Sequence, residues 1–210
     1  MSQIPPAEPP SIRDLAFAVI DLETTGFKPV AGWSKTGNFH AAAEITEVGL
    51  VRLSGAIVQG SFQQLCAIEG ELPAIIQRLT GITHALLANA PAWERVALKL
   101  VPELEGRTWV AHNAPFDGAF LKAWLPQGLW HRHRLICTKK LAKALAPEVG
   151  KYSLHQLCAH FGIVNTRAHR ALADAEATAE LLQHLMGRAE EKGLDGESLV
   201  ALGEISWTKL

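Results

Sequence analysis

The sequence predicts an α/β domain with a mixed five-stranded sheet flanked by helices, on three observations. Residues 15–20 (LAFAVI) form a nearly continuous apolar run of strand length, as expected of a central strand covered on both faces. Residues 45–53 (ITEVGLVRL) and 56–68 (AIVQGSFQQLCAI) read as two more strands joined by Ser54-Gly55, which implies an antiparallel hairpin. From residue 71 onward helical periodicity alternates with two short strands, 108–111 and 135–137, the order expected when helices cover a sheet.

The helices follow from their punctuation. Segments 71–79 and 92–100 are separated by Gly81, and Pro91 stands near the second start. Pro115 suits the first turn of a helix over 115–124, and further helices are expected over 138–145, 154–161 and 170–186. Residues 1–10 hold four prolines and read as a disordered tail, leaving 11–187 as the working domain. Residues 188–210 begin with charges, contain scattered glycines, and carry Leu199, Val200, Leu202, Ile205 and Trp207. They read as a packing tail or a partner-binding segment.

Composition narrows the function. A chain of 210 residues, 48% hydrophobic, can bury a core without disulfides or structural zinc. Cys66, Cys137 and Cys158 form no CxxC pair, and with neither a secretion signal nor a membrane-spanning run in the sequence, a reducing cytoplasm is expected. Twenty basic residues against 21 acidic ones, a net charge of -1, exclude a protein that coats nucleic acid by bulk charge. A polyanion must meet a local patch.

Asp21 and Glu23 stand at the end of the first apolar strand, where residues two apart share a face. Two carboxylates so placed repel unless a cation lies between them. Thr24-Thr25-Gly26 follows, with hydroxyls and amides able to hold a nucleotide's sugar and phosphate. Asp117 lies at the start of a helix, where an acid is also stabilised by the helix dipole. Asp174 sits inside an Ala- and Leu-rich helix that its own propensity does not favour, and His169, with its near-neutral side chain, precedes it. Four acids and a histidine at element ends meet the needs of phosphodiester hydrolysis with two hard cations about 4 Å apart.

Three blocks carry a resemblance: residues 17–26 (FAVIDLETTG), 110–117 (VAHNAPFD) and 169–175 (HRALADA). They resemble the sequence blocks of the DEDD-type 3′-to-5′ exonucleases, histidine subtype, the DnaQ-like superfamily that includes the epsilon proofreading subunit of bacterial DNA polymerase III and ribonuclease T. The similarity runs from about residue 17 to 186 and extends to LTGIT at 79–83 and to Tyr152-Ser153-Leu154. It implies a ribonuclease H-like fold and removal of 5′-mononucleotides from the 3′ end of single-stranded or frayed DNA. By resemblance, Asp21, Glu23, Asp117 and Asp174 bind two Mg2+ or Mn2+ ions and His169 is the general base. Thr24 or Thr25 contacts the terminal nucleotide's 3′ hydroxyl, Ile82 packs against a terminal base, and Asn113 helps arrange substrate. The tyrosine subtype would require Tyr at 170, where this chain has Arg170. The implied partner is a nucleic-acid 3′ end. A polymerase or other repair partner is left open, as are an RNA or short-oligonucleotide substrate and a non-catalytic polymerase-associated binding module.

Two regions depart from the family pattern: the connection after Gly26, and the tail after Met186, which is short and shows no obvious clamp-binding peptide. The stretch from Phe27 to His40 is longer than the usual connection, and Trp33, Lys35, Phe39 and His40 read either as a stacking and phosphate-contacting flap or as a mobile surface loop with a partly buried tryptophan. Arg132, Arg134, Lys139, Lys140, Lys143 and Lys151 meet one acid, Glu148, between 131 and 151. They read either as a phosphate-steering strip or as a solvated face.

Overall fold

The axis of the computed structural model, which describes residues 9–33 and 36–210, is β1 (Ala16–Thr24). It pairs antiparallel with β4 (Ile45–Ser54) and parallel with β6 (Thr108–Ala111). The long β1–β4 connection carries a small separate ladder, β2 (Gly32–Trp33) against β3 (Phe39–His40). β5 (Ile57–Leu65) completes the expected hairpin with β4, turning through Gly55 at φ 53°. Residues 1–8 of the expected tail, and Lys35 of the expected flap, lie outside the described residues.

The main sheet has six strands, in the order β5-β4-β1-β6-β7-β8, where the sequence predicted five. The fold class holds, and the sixth strand is β8 (Glu204–Ile205), antiparallel to β7 (Leu135–Cys137). Two residues are too few to show a period of two, so it left no pattern to read.

α1 (Ala74–Thr80) ends at Gly81, which takes the left-handed conformation at φ 71°, and α2 (His84–Leu87) follows as a short turn. α3 (Trp93–Leu104) passes beyond its expected end through Pro102. The carbonyl that this proline leaves unpaired is that of Leu98, whose side chain is 77% exposed, so water can satisfy it. α4 (Pro115–Trp124), α5 (Thr138–Leu145) and α6 (Leu154–Phe161) match their expected spans. α7 (Ala171–Glu191) continues one turn further than expected, because Ala189 still packs inward among charged neighbours. No helix among the described residues is long and apolar enough to cross a membrane.

Alternation along β1 divides the core into two layers. Phe17 and Val19 pack with Val51, Leu53, Val110, Ile136, the apolar residues of α5 to α7, and Leu199 and Val200. Ala18, Ile20 and Leu22 pack on the other side with Trp109, Leu135 and the residues of α3 and α4. Asp21 and Glu23 continue the Phe17 and Val19 register, so the same period of two that builds the core turns both carboxylates toward the α7 side.

Residues after α7 cover the β7 edge. Asp195 caps α8 (Gly196–Gly203), and β8 then joins the sheet. Trp207 stands edge-on to Trp109 and donates its indole N–H to the His133 carbonyl. Arg134 is bound by Glu197 and Glu204, and Lys140 donates to the Glu204 carbonyl. Two cations of the expected basic strip are thus taken up in fastening this segment.

Gly49 brings α7 close to the sheet. A Cβ there would lie 2.2 Å from the Ala171 backbone, a contact no side-chain movement can relieve. Gly49→Ala should lower stability by about 3 kcal/mol, the upper range for overpacking. Urea unfolding checks this, and a neutral change would show that the α7 contact is not needed.

Candidate active site

Three element ends converge on the face of β1 that α7 covers. In the β1–β4 register Asp21 lies opposite Gly49 and Glu23 opposite Glu47. β6 ends at Ala111, and the chain turns through Asn113, whose φ of 65° is left-handed, before Pro115 starts α4. That turn puts Asp117 in the first helical turn, 3% exposed, with its Oδ1 accepting the Leu22 amide at 3.2 Å. Asp117 is therefore fastened to β1 between the two strand carboxylates. The third approach is the start of α7, where His169 is also left-handed at φ 64°. Among the described residues, these are the two non-glycine positions with positive φ, and both lie at this convergence.

Asp174 is held from two sides. Its Oδ2 accepts the His169 amide at 3.0 Å, and its Oδ1 accepts the Asn165 side-chain amide. Glu23, His169 and Asp174 each offer a ligand atom within 4.8 Å of the others. His169 itself is exposed, on the rim of the cluster.

The charge state records the crowding. Burial, then repulsion from Asp117, Glu23, Asp174 and Glu47, holds the Asp21 carboxyl well above the usual range. Burial also raises Asp117, against the hydrogen bonds its carboxylate accepts from its own amide and that of Leu22. Glu23 is pushed up to about 8 by burial and by Asp174, Glu47 and Asp117, with Arg170 opposing. Such a group is short of positive charge and rich in hard oxygen donors, the donor chemistry that suits Mg2+ or Mn2+.

Glu47 is the site residue that sequence reasoning missed. Its side chain is fully buried, yet its carboxyl stays below the usual range because Arg170, the Ala171 amide and Gln63 outweigh the cost of burial. Arg170 grips it with two donors at 2.7 and 2.9 Å, and Gln63 donates at 2.7 Å. The Ala171 amide donates at 3.1 Å, so Glu47 caps α7 from a neighbouring strand. A signal was present: one acid early in the strand run ITEVGLVRL, flanked by Thr46 and Val48 rather than placed at its end. Asn165, one residue before the Thr166-Arg167 turn, carried no comparable signal.

The expected substrate residues fare differently. The Thr24 hydroxyl donates to the Gly26 carbonyl at 2.6 Å, and the Thr25 hydroxyl accepts the Glu44 amide at 2.9 Å while keeping its own proton. Asn113 is exposed beside the cluster. Ile82 is fully buried with Leu72 and Leu87, and so has no free surface with which to meet a base in this conformation.

The exonuclease family model, named for RNase T, matches residues 18–182. The chain belongs to this family. It is similar to the epsilon subunit of DNA polymerase III from Aquifex aeolicus, 33% identical over 173 residues, covering 81% of this chain and 80% of that one. A Mycobacterium tuberculosis protein named as a bifunctional exonuclease/endonuclease is 37% identical over 198 residues, 90% of this chain, but the match spans only 29% of that longer protein. Among solved structures, exonuclease X in complex with 5′-overhanging duplex DNA aligns with a TM-score of 0.66 at 25% identity, over 89% of this chain and 98% of that one. The chain thus carries an exonuclease-family domain with a ribonuclease H-like fold, in a family that depends on divalent metal, and it spans only 12–29% of the length of most of the curated relatives it matches.

Two outcomes follow. The raised Glu23 carboxyl keeps in the folded protein a proton that the unfolded chain releases above 4.5. Its contribution to metal-free stability is therefore present at low pH and lost as pH rises toward about 8. Melting in EDTA should show Tm falling across that window, with Mn2+ raising Tm most at the alkaline end; a flat EDTA profile would contradict the crowding. Glu47→Gln should cost about 2–3 kcal/mol by leaving Arg170 without its charge partner, below the full buried-pair penalty because Arg170 is 24% exposed. Denaturant unfolding measures it, and an unchanged midpoint would remove the clamp from the account.

Proposed function

We propose that the chain removes 5′-mononucleotides from the 3′ end of single-stranded or frayed DNA, using a pair of divalent ions held by Asp21, Glu23, Asp117 and Asp174. One observation carries this reading: the four carboxylates, from three separate parts of the chain, face one another with too little cationic charge to balance them. The donor set fits Mg2+ or Mn2+, and when bound such ions polarise the phosphate and lower the pKa of a water.

The chain's own residues do the rest. His169 receives the attacking water's proton on an imidazole nitrogen; its exposure on the rim lets the ring reach solvent, and its amide, tied to Asp174, fixes where the ring starts. The Thr25 hydroxyl, which keeps its proton, donates to the terminal 3′ hydroxyl, and Asn113 offers its amide to the departing nucleotide. The Glu47–Arg170 pair holds the start of α7 so that His169 and Asp174 move as one unit. Similarity to an epsilon subunit supports a polymerase as partner, and to exonuclease X a DNA strand end as substrate.

Digestion of 5′-labelled and 3′-labelled single strands, DNA and RNA, tests the reading. With Mg2+ or Mn2+, a 5′-labelled DNA strand should shorten stepwise while a 3′ label appears at once as mononucleotide, and EDTA should stop both. Faster loss of RNA would transfer the substrate to RNA, and cleavage of a circular strand would contradict exonuclease action. Asp174→Ala should lower turnover at least about a thousandfold, at the large end of single-group losses in polar active sites, with the fold retained. Cleavage by that variant at the wild-type rate would remove Asp174 from the chemistry.

A further inference from the structure

The connection that leaves β1 just after Glu23 and carries the β2–β3 ladder exposes large apolar side chains. Phe27 is 83% exposed, Val30 64%, Trp33 73% and Phe39 59%. Trp33 and Phe39 are cross-strand partners with ring centroids 5.4 Å apart. The other five tryptophans are packed: Trp93 donates to the Trp124 carbonyl, Trp109 to that of Leu104 and Trp207 to that of His133, while Trp124 and Trp130 lie against other indoles. Trp33 is thus the one indole the fold leaves to solvent, and a row of this kind marks a recognition surface.

Its placement and charge narrow the occupant. The stem is closed at the end of β1 by Thr25 and Glu44, which exchange hydrogen bonds, and by the Ala43 amide on the Lys28 carbonyl. Trp33 is ten residues beyond Glu23, so it lies at most about 36 Å from that carboxylate, within the span of a short single strand. The sequence from 24 to 43 contains no acid but holds Lys28 and Lys35. A purely apolar partner would match the rings and leave the cations unused. A polyanion with flat stacking faces matches both, the pairing that recurs in single-strand binding.

We propose that this hairpin is a stacking platform for nucleobases of the substrate strand, on the 5′ side of the nucleotide being removed. The proposal rests on the exonuclease reading and adds a second contact to it, which makes cleavage depend on strand length. Strands long enough to reach Trp33 gain affinity; a dinucleotide, held only at the carboxylates, does not.

The test compares wild type with Trp33→Ala, Phe39→Ala and Trp33→Phe on a dinucleotide and on a strand of about 16 nucleotides, the upper range of single-strand site sizes. The wild-type preference for the long strand, as a ratio of kcat/KM, should fall about tenfold in Trp33→Ala, through KM rather than kcat. Trp33→Phe should recover most of it. Abasic sites in the upstream part of the long strand should reproduce the loss in wild type. An unchanged ratio in the alanine variants overturns the platform while leaving the exonuclease reading intact. Full wild-type use of the abasic strand also overturns it. Alanine variants that keep the ratio but lose self-association in sedimentation would assign the face to a second copy of the chain. A wild type that cleaves neither substrate would instead sink the exonuclease reading on which the proposal stands.

Discussion

Mutual repulsion among carboxylates is the constraint around which the molecule is arranged. Asp21, Glu23, Asp117 and Asp174 approach one another at a partly desolvated junction, and Glu47 adds a fifth acid to the same field. Left to themselves such groups take up protons or move apart. Here they are kept in place by bonds that act on the backbone around them: the Leu22 amide on Asp117, the His169 amide and Asn165 on Asp174, and Arg170 on Glu47. Of the five, Glu47 is the one whose charge is matched within the protein. The other four lack such a partner, which supports the proposal of a metal site with Glu47 as its support.

Backbone geometry secures the convergence. Gly49 allows α7 to lie directly on the strand opposite Asp21, and the left-handed turns at Asn113 and His169 swing their helices in toward β1. Strained φ values at non-glycine residues persist where surrounding structure over-determines them. Both are bracketed by strong fastenings, Pro115 and Asp117 on one side, the Glu47–Arg170 pair on the other. Stability and chemistry are therefore linked through the first turn of α7, whose position depends on β4 as much as on the helix itself.

Much of this was legible in the sequence, for identifiable reasons. β1 is a strand-length apolar run, the β4–β5 hairpin and the central helices carry clear patterning and punctuation, and the three blocks holding the acids sit at element ends. What was not legible depends on contacts across the fold. β8 is too short to show a period, and its place comes from Arg134 and Trp207, which meet it only after folding. The role of Glu47 depends on a partner 123 residues away. The 27–43 connection gave two readings because aromatic and cationic residues in a loop suit either; the ladder it forms, and the exposure of Trp33 in place of partial burial, are tertiary facts. Ile82 shows the reverse limit: a family role carried to a residue whose side chain the fold buries.

The central claim is that the carboxylate junction is completed by divalent cations. Titration of Mn2+ into metal-free protein, with free Mn2+ read by electron paramagnetic resonance, addresses it without any substrate. The account predicts saturable binding of two ions per chain, with at least one lost when Asp21 is replaced by Asn. Binding that is absent in the wild type, or equal in the Asp21→Asn variant, would contradict it.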